Sequence, residues 1–298
     1  MQDVILNHAE RMAASQALGR FRTPPDGVSI CIPNWNHEAL LPRSVGSALA
    51  AAADLRGRGI AAEVLVIDDD SRDGSLTLLR QLEALYYGDG LRVLPLPENT
   101  GLPAASRNQA LLNATYRYIM FLDADNELLP ENLYHFYRSA VQTQAAVTYG
   151  NLLRYGLNPG EVMLVNNESF QDRLFTGQYD DPEVDVLHTY NYIDTFAVID
   201  RMQVLDLGGF LDKRVIIARE DWELYLHLAV NGRKIIFVPL IIGLYYELPV
   251  SMTDSNRERA QHMEQRAYLK RVFNQLGLRK GALMNTRHLR YHPDIGYI

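Results

Sequence analysis

Cysteine and positive charge are both scarce in this chain. Cys31 is the single cysteine among 298 residues, which excludes an intramolecular disulfide and any cysteine-based zinc site. A reducing compartment suits such a composition, so we expect a cytoplasmic protein. The 29 Lys and Arg residues are outnumbered by 36 Asp and Glu residues, and the net charge is −7. That balance argues against a nucleic-acid-binding protein, which needs a basic face.

Long apolar runs and the common phosphate-binding motifs are also missing. The longest apolar stretch, 235–246, is interrupted by Pro239 and Gly243, and it is too short to span a membrane. No phosphate loop of the GxxxxGK type and no GxSxG nucleophile elbow occurs. Charged residues interrupt the N-terminal apolar positions, so residues 1–26 are interpreted as an amphipathic helical extension and not as a secretory signal.

Short apolar strands alternate with helices over the first half of the chain. The strands are predicted at 28–32, 63–67, 91–94 and 118–122, and the helices at 38–56, 74–85, 103–114 and 130–143. Nearly continuous apolar strands indicate a mostly parallel sheet that is covered by helices on both faces. Ligands of such α/β sheets bind beyond the carboxyl ends of the strands. Both acidic clusters of the chain follow strands at that edge.

The regular pattern stops after Asn151. Residues 152–191 are rich in Asn, Asp, Gly and Tyr without a clear period, and we interpret them as a long functional loop or lid. Further on, the pattern predicts ordered chain at 192–200, helices at 202–207, 221–230 and 255–276, and strands at 234–238 and 243–246. We expect one main domain at 27–250, divided into a nucleotide-binding half at 27–126 and an acceptor half at 127–250.

A basic tail follows this domain at 251–298. From Ser255 onward there are nine basic and three acidic residues, so this part carries +6 and the rest of the chain −13. A solvated basic helix is the simpler interpretation. A patch that contacts anionic lipid or a lipid-linked substrate, at the inner face of a membrane, is the alternative.

Asp123 and Asp125 are the first candidates for chemistry. Two carboxylates one residue apart repel each other unless a cation lies between them. Hard divalent cations prefer such oxygen ligands, and Mg²⁺ or Mn²⁺ keeps open positions for phosphate oxygens. The alternative is an ordinary turn, in which one aspartate caps the following helix.

A second acidic cluster, Asp68 to Asp70, ends another strand. Its carboxylates could accept hydrogen bonds from ribose hydroxyls or from a base N–H, while Ser71 or Asp73 serves as a helix cap. Arg107 lies on the helix that follows Asn99-Thr100-Gly101. It could pair with a carboxylate of either cluster or with a diphosphate.

Two further sites are ambiguous when taken alone. Glu220 and Asp221 begin a helix, where acids are favoured by the helix dipole, yet one of them aimed into a cleft would serve as a general base. Gly208-Gly209-Phe210 could be a simple helix end or a place where the backbone approaches a substrate closely.

Taken together and in this order, these segments resemble family 2 glycosyltransferases of the GT-A fold. The resemblance covers roughly residues 27–250. The segments that carry it are VSICIPNWN at 28–36, VIDDDSRDGS at 66–75, NTG at 99–101, ASRN at 105–108, YIMFLDAD at 118–125, LGGF at 207–210 and REDW at 219–222.

The resemblance implies a GT-A nucleotide-binding sheet and a role for each matched residue. The implied nucleotide site comprises Pro33, Asn34, Asn36, Asp68, Asp69, Arg107 and Asp123, and the implied acceptor side comprises Gly208, Gly209, Phe210 and Trp222. Asp69 would bind the base, Asp125 with Asp123 would hold Mn²⁺ or Mg²⁺, and Asp221, next to Glu220, would be the catalytic base. The implied reaction inverts the anomeric centre of a nucleotide sugar, with UDP as the expected nucleotide and a glycan or lipid-linked acceptor.

Two other functions have to be weighed against this one. A sugar-phosphate nucleotidyltransferase should carry a glycine-rich basic loop after its first strand, whereas this chain has Asn34-Trp35-Asn36-His37-Glu38 there. A non-catalytic nucleotide-sugar-binding or scaffold module would keep the fold without turnover. The presence of Asp125 and Asp221 argues against such a module.

Overall fold

The computed structural model describes residues 23–165, 187, 191–212, 219–249, 291–292 and 296–297. The predicted N-terminal helix, the predicted helix at 255–276 and most of the predicted loop at 166–190 lie outside these residues. The basic tail is therefore not tested by the structure, and neither is the division of the chain into an extension, a domain and a tail.

Four parallel strands form the first half of the sheet, in the order β3-β2-β1-β4. Their helices lie between them in sequence, as the alternating pattern predicts. The strands are β1 (Val28–Asn34), β2 (Ala62–Asp68), β3 (Leu91–Pro95) and β4 (Tyr118–Phe121), and the helices are α1 (Leu41–Gly57), α2 (Ser75–Tyr86), α3 (Pro103–Asn113) and α4 (Pro130–Thr143).

The second half continues the same sheet with both parallel and antiparallel pairs. Beyond β4 the order is β8-β6-β9-β5, and β7 pairs with β6. Here β4 and β6 both run antiparallel to β8, whereas β6 and β9 are parallel. The elements of this half are β5 (Glu127–Leu128), β6 (Val147–Tyr155), β7 (Val162–Val165), β8 (Ala197–Asp200), α5 (Arg201–Asp206), α6 (Glu220–Val230) and β9 (Ile235–Tyr246). Two short strands, β10 (Tyr291–His292) and β11 (Gly296–Tyr297), form a separate antiparallel sheet.

Apolar side chains cover both faces of the sheet, so successive residues of one strand belong to different cores. In β1, Cys31 belongs to one buried cluster, whereas Ile30 and Ile32 belong to the other. This double burial is the reason that the strands are continuously apolar. The predicted α/β fold with a sheet flanked by helices is confirmed. Among the described residues, no helix is long and apolar enough to cross a membrane.

Three predictions about the strands are wrong. β1 does not stop before Pro33 but continues to Asn34, because its pairing with β4 ends at Cys31 and leaves one side of the strand without a ladder. The segments at 234–238 and 243–246 form one strand, β9, in which a β-bulge against β6 accommodates Pro239. The part of the predicted loop from 152 to 165 contains the end of β6 and the whole of β7.

Candidate active site

The carboxyl ends of the parallel strands bring the predicted residues to one edge of the sheet. Asn34 ends β1 and lies opposite Asp68, the last residue of β2. Asp123 follows β4 by two residues. Helix α3 and the start of α6 reach the same edge, because Arg107 contacts both Asp123 and Glu220. The structure therefore brings both acidic clusters, Arg107 and the Glu220-Asp221 dipeptide to a common region.

Asp68 and Asn34 form the frame of the first loops. The Asn34 amide donates to Asp68 Oδ1 at 2.7 Å, and the Ser71 hydroxyl donates to the same oxygen at 2.7 Å. Asn36 has a φ of 57° and accepts hydrogen bonds on Oδ1 from the backbone N–H groups of Arg72 and Asp73. The Asp68 carboxylate connects these loops through its hydrogen bonds. Asp68 is fully buried in the structure, so its side chain is not exposed to solvent.

Asp69 joins the same edge to the segment that precedes α3. Its carboxylate accepts hydrogen bonds from the Thr100 backbone N–H at 3.0 Å, from the Thr100 hydroxyl at 2.9 Å and from the Asn99 amide at 3.3 Å. Each oxygen of a carboxylate has more than one acceptor position, so a further donor can still be bound. The predicted contact between Asp69 and a base therefore stays a prediction.

Arg107 connects the two halves of the site. Its guanidinium donates to Asp123 Oδ1 at 2.9 Å and forms a second ion pair with Glu220. Burial disfavours the charge of Arg107, but Asp123 and Glu220 outweigh that effect and raise its pKa. Of the two predicted alternatives, the structure shows a structural salt bridge, formed with two partners. The predicted contact of Arg107 with a ligand stays a prediction. Glu220 is occupied by this pairing and is itself buried.

Asp125 differs from Asp123, because among the described residues no cationic side chain forms an ion pair with the Asp125 carboxylate. Arg43 instead donates to the backbone oxygen of Asp125. Burial and the neighbouring charge of Asp123 raise the pKa of Asp125 above its usual range. Asp125, together with Asp123, which Arg107 also contacts, offers the oxygen ligands that Mg²⁺ or Mn²⁺ prefers. Within the described ranges, no group of three or more acidic, His or Cys side chains is arranged to hold a metal ion.

Asp221 is held at the start of α6 by two hydrogen bonds. Its Oδ2 accepts from the Asn191 amide at 2.9 Å, and its Oδ1 accepts from the backbone N–H of Trp222. Burial and the adjacent Glu220 raise the pKa of Asp221. A carboxylate whose pKa approaches neutrality is suited to take a proton at neutral pH.

Asp194 is a site residue that the sequence did not reveal. Burial and the charge of Asp123 raise the pKa of Asp194 to about 6. Its backbone oxygen accepts a hydrogen bond from the Tyr225 hydroxyl at 3.0 Å, which ties it to α6. The next residue, Thr195, reaches Asp123 Oδ2 at 3.5 Å. A lone acid just before a strand carries no motif, so only the antiparallel pairing of β8 with β4 brings it here.

The Gly208-Gly209-Phe210 turn is fastened to α3. The Asn108 amide donates to the Phe210 carbonyl at 2.9 Å, and the Phe210 N–H donates to Asn108 Oδ1 at 2.8 Å. Gly209 has a φ of +77°, and a Cβ there would lie 2.6 Å from Asn108 Oδ1. Glycine at position 209 therefore permits both the left-handed backbone conformation and the close approach of the Asn108 side-chain amide.

The aromatic residues of the predicted acceptor side are buried. Phe210 packs edge-on against Phe121, with 5.4 Å between the ring centroids. The Trp222 indole N–H donates to the Leu187 carbonyl, and the side chain belongs to the core. Neither ring lies at a surface where an acceptor could bind. Both rings are part of the hydrophobic core that lies beneath the site.

Comparison with known proteins identifies the same family along most of the domain. The family model described as "Glycosyl transferase family 2" matches residues 29–207. The poly(ribitol-phosphate) beta-glucosyltransferase of Bacillus spizizenii is 31% identical over 125 residues, which are 42% of this chain and 19% of that protein. The succinoglycan biosynthesis protein ExoU of Rhizobium meliloti is 30% identical over 223 residues, which are 70% of this chain and 59% of that protein.

Solved structures share the fold at low sequence identity. TarS 1–349 of S. aureus matches with a TM-score of 0.58 and 18% identity, covering 88% of this chain and 68% of that chain. A mannosyltransferase of Pyrobaculum calidifontis, solved with GDP-Man and Mn²⁺, matches with a TM-score of 0.55 and 18% identity, covering 95% and 77%.

The curated relatives are longer proteins, since this chain spans about a fifth of the first and three fifths of the second. The family model nevertheless matches more than half of the chain, and its match includes the strand ends that carry Asp68, Asp69, Asp123 and Asp125. The chain therefore belongs to glycosyl transferase family 2.

Proposed function

We propose that this protein is a metal-dependent, inverting glycosyltransferase that moves a sugar from a nucleotide sugar, with UDP as the nucleotide, to a hydroxyl acceptor. The observation that carries the proposal is the double salt bridge of Arg107. It connects Asp123, on the side proposed for the donor, to Glu220, which precedes the proposed base. Family membership and structural neighbours solved with UDP, UDP-GlcNAc and GDP-Man support the same reaction class.

The donor site is proposed along the edge that runs from β2 to β4. Asp69 would accept a hydrogen bond from the base, within the loop frame made by Asn34, Asn36 and Asp68. Asp125 and Asp123 would hold Mn²⁺ or Mg²⁺, whose positive charge stabilises the diphosphate that leaves. The raised pKa of Asp125 supports this assignment, because it reflects a buried carboxylate beside the negative charge of Asp123.

Asp221 is the proposed general base. It would take the proton of the acceptor hydroxyl, the acceptor oxygen would form a bond to C1 of the sugar, and the bond from C1 to the diphosphate would break. Asn191 orients the carboxylate through its hydrogen bond to Oδ2. Glu220 is paired with Arg107, so in this proposal it positions the start of α6 and does not compete as the base.

The acceptor is proposed to be a hydroxyl of a cell-surface polysaccharide or of a lipid-linked glycan. The names of the two relatives refer to poly(ribitol-phosphate) and to succinoglycan biosynthesis, which supports this class of acceptor. The contact of the basic tail with a membrane and the cytoplasmic location both stay predictions, since most of the tail lies outside the described residues.

A ligand-induced stability shift tests the donor assignment. Unfolding of the wild type would be followed with UDP, GDP and their sugar conjugates, each with and without Mn²⁺. A ligand at about 100 times its Kd adds roughly 2.7 kcal/mol to the free energy of unfolding. We expect Mn²⁺-dependent stabilisation, and we expect Asp125→Ala to abolish it.

Asp70→Asn provides the matched control. It removes one carboxylate charge at the same edge, from an exposed residue in a left-handed conformation that asparagine tolerates. This variant should respond to the ligands like the wild type. Absence of stabilisation by any of these ligands in the wild type, or an unchanged Mn²⁺-dependent shift in Asp125→Ala, would refute the donor assignment.

A further inference from the structure

The end of β9 is anchored to the turn that carries Asp123 and Asp125. The backbone N–H of Tyr246 donates to Asn126 Oδ1 at 3.0 Å. Asn126 is buried and directly follows Asp125, so this bond ties the strand to the carboxylate pair. Leu244 pairs with Glu127 of β5 on the same stretch.

Tyr246 is held on all sides by its neighbours. Its ring stacks on Tyr155 with 5.0 Å between the centroids, and the Arg43 guanidinium lies 3.7 Å from its centroid on a face. Its hydroxyl donates to Glu127 at 2.9 Å. Every polar and aromatic group of Tyr246 thus has a structural partner, and the strand has little freedom to rotate.

Tyr245 points the opposite way, because successive side chains of a strand alternate between its two faces. The Tyr245 side chain is partly buried. The carboxylates of Asp194, Asp123 and Asp125 are close enough to act on it electrostatically. A tyrosine hydroxyl carries its proton at neutral pH and can therefore act as a hydrogen-bond donor. Within the described part of the chain, no hydrogen-bond partner of that hydroxyl is found.

We propose that the Tyr245 hydroxyl donates a hydrogen bond to the terminal phosphate of a nucleoside diphosphate bound at Asp123 and Asp125. A rigidly placed donor without a protein partner, next to carboxylates that need a cation, fits an anionic acceptor that arrives together with that cation. The inference rests on the proposed function and adds one binding residue to it.

The order of groups along the sheet edge supports the terminal phosphate over the rest of the ligand. Asp69 follows β2, Asp123 follows β4, and Tyr245 lies in β9. In the sheet, β9 lies on the far side of β4 from β2. β5, which directly follows the turn of Asp123 and Asp125, pairs with β9 at Leu244, next to Tyr245. A nucleotide whose base lies at Asp69 and whose phosphates lie at Asp123 therefore has its last phosphate on the side of Tyr245.

Two matched variants test the proposal by calorimetric titration. Tyr245→Phe and Tyr246→Phe each remove a single phenol oxygen from adjacent residues of one strand. The probes are UDP and UMP with Mn²⁺, with GDP and GMP as the second pair. We expect Tyr245→Phe to weaken diphosphate binding about tenfold or more, the loss typical of a hydrogen bond to a charged group. Monophosphate binding and the unfolding midpoint should change little, and Tyr246→Phe should bind both probes like the wild type.

Each other outcome overturns the inference in a distinguishable way. Equal weakening of diphosphate and monophosphate, or equal effects of the two variants, would mean that strand packing and not a phosphate contact is responsible. Unchanged diphosphate affinity in Tyr245→Phe, beside lost affinity in Asp125→Ala, would refute the role of Tyr245 and leave the proposed function intact. A wild type that binds neither diphosphate would refute both.

Discussion

Removing the Arg107 guanidinium should cost far more stability than removing an exposed arginine. The Arg107 side chain is 6% exposed and lies between Glu220, at 5%, and Asp123, at 31%. Breaking a buried ion pair by deleting one partner costs about 3–5 kcal/mol, because the remaining charge is left without compensation. We therefore expect Arg107→Met to lower the free energy of unfolding by about 3–5 kcal/mol at pH 8.

The exposed fractions also predict which partner causes the loss. Asp123 can be hydrated in the variant, whereas Glu220 cannot, so most of the penalty arises at Glu220. Adding Glu220→Gln to Arg107→Met removes the stranded charge and should restore about 2 kcal/mol or more. The defect of Arg107→Met should also shrink at pH 5, where stranded carboxylates take up protons more readily.

Urea denaturation of the single and double variants at both pH values measures these differences. Arg58→Met is the control, because the Arg58–Asp54 pair lies at the surface within α1, with side chains 40% and 28% exposed. It should cost below about 1 kcal/mol. A loss below about 1 kcal/mol in Arg107→Met, or no recovery on adding Glu220→Gln, would show that the buried pairing is not what stabilises the site.

Three further predictions concern the base, the metal pair and the turn. Asp221→Asn should lower the rate of transfer to a polyol-phosphate or oligosaccharide acceptor by about 10²–10⁴-fold, and Glu220→Gln should lower it by less. The wild-type rate should rise with pH up to about 7, because burial and Glu220 raise the pKa of Asp221 to that value. A larger loss in Glu220→Gln than in Asp221→Asn would refute the assignment of the base. Because the pKa of Asp125 is raised in the folded state, folding takes up a proton, and the stability of the metal-free protein should fall as pH rises between about 4 and 7. In Asp125→Asn this loss of stability between pH 5 and pH 8, measured by urea denaturation, should disappear. If the variant is less stable than the wild type at pH 8, the prediction is contradicted. Gly209→Ala should cost about 1–3 kcal/mol in the same assay, because its Cβ would meet the Asn108 amide at a φ of +77°; an unchanged midpoint would show that the turn adapts.

The arrangement of the site explains why two adjacent acids differ in their proposed roles. Glu220 begins α6 facing Arg107, and the next residue, Asp221, is rotated by about 100° around the helix axis. Asp221 is therefore turned away from the guanidinium and towards Asn191. Glu220 is paired with Arg107, whereas burial and the adjacent Glu220 raise the pKa of Asp221, and this difference supports Asp221 as the base.

The sequence by itself determined the elements that depend on local pattern. The continuous apolar runs predicted β1 to β4, and Asp68, Asp69 and Asp123 were expected at one edge because parallel strands end together. The bounds of α4 were predicted as observed, since its proline start and its amphipathic spacing are local signals. The ordered series of short motifs indicated the family.

The tertiary structure alone decided what depends on long-range pairing. β6 contains Gly150 and Asn151 and shows no clear alternation, yet three neighbouring strands hold it, so its local pattern could not reveal it. Asp194 and Tyr245 carry no motif and reach the carboxylate pair only through the pairing of β8 and β9 with distant strands. The partners of Arg107 lie 16 and 113 residues away in sequence, and such contacts follow from the folded sheet edge and not from spacing along the chain.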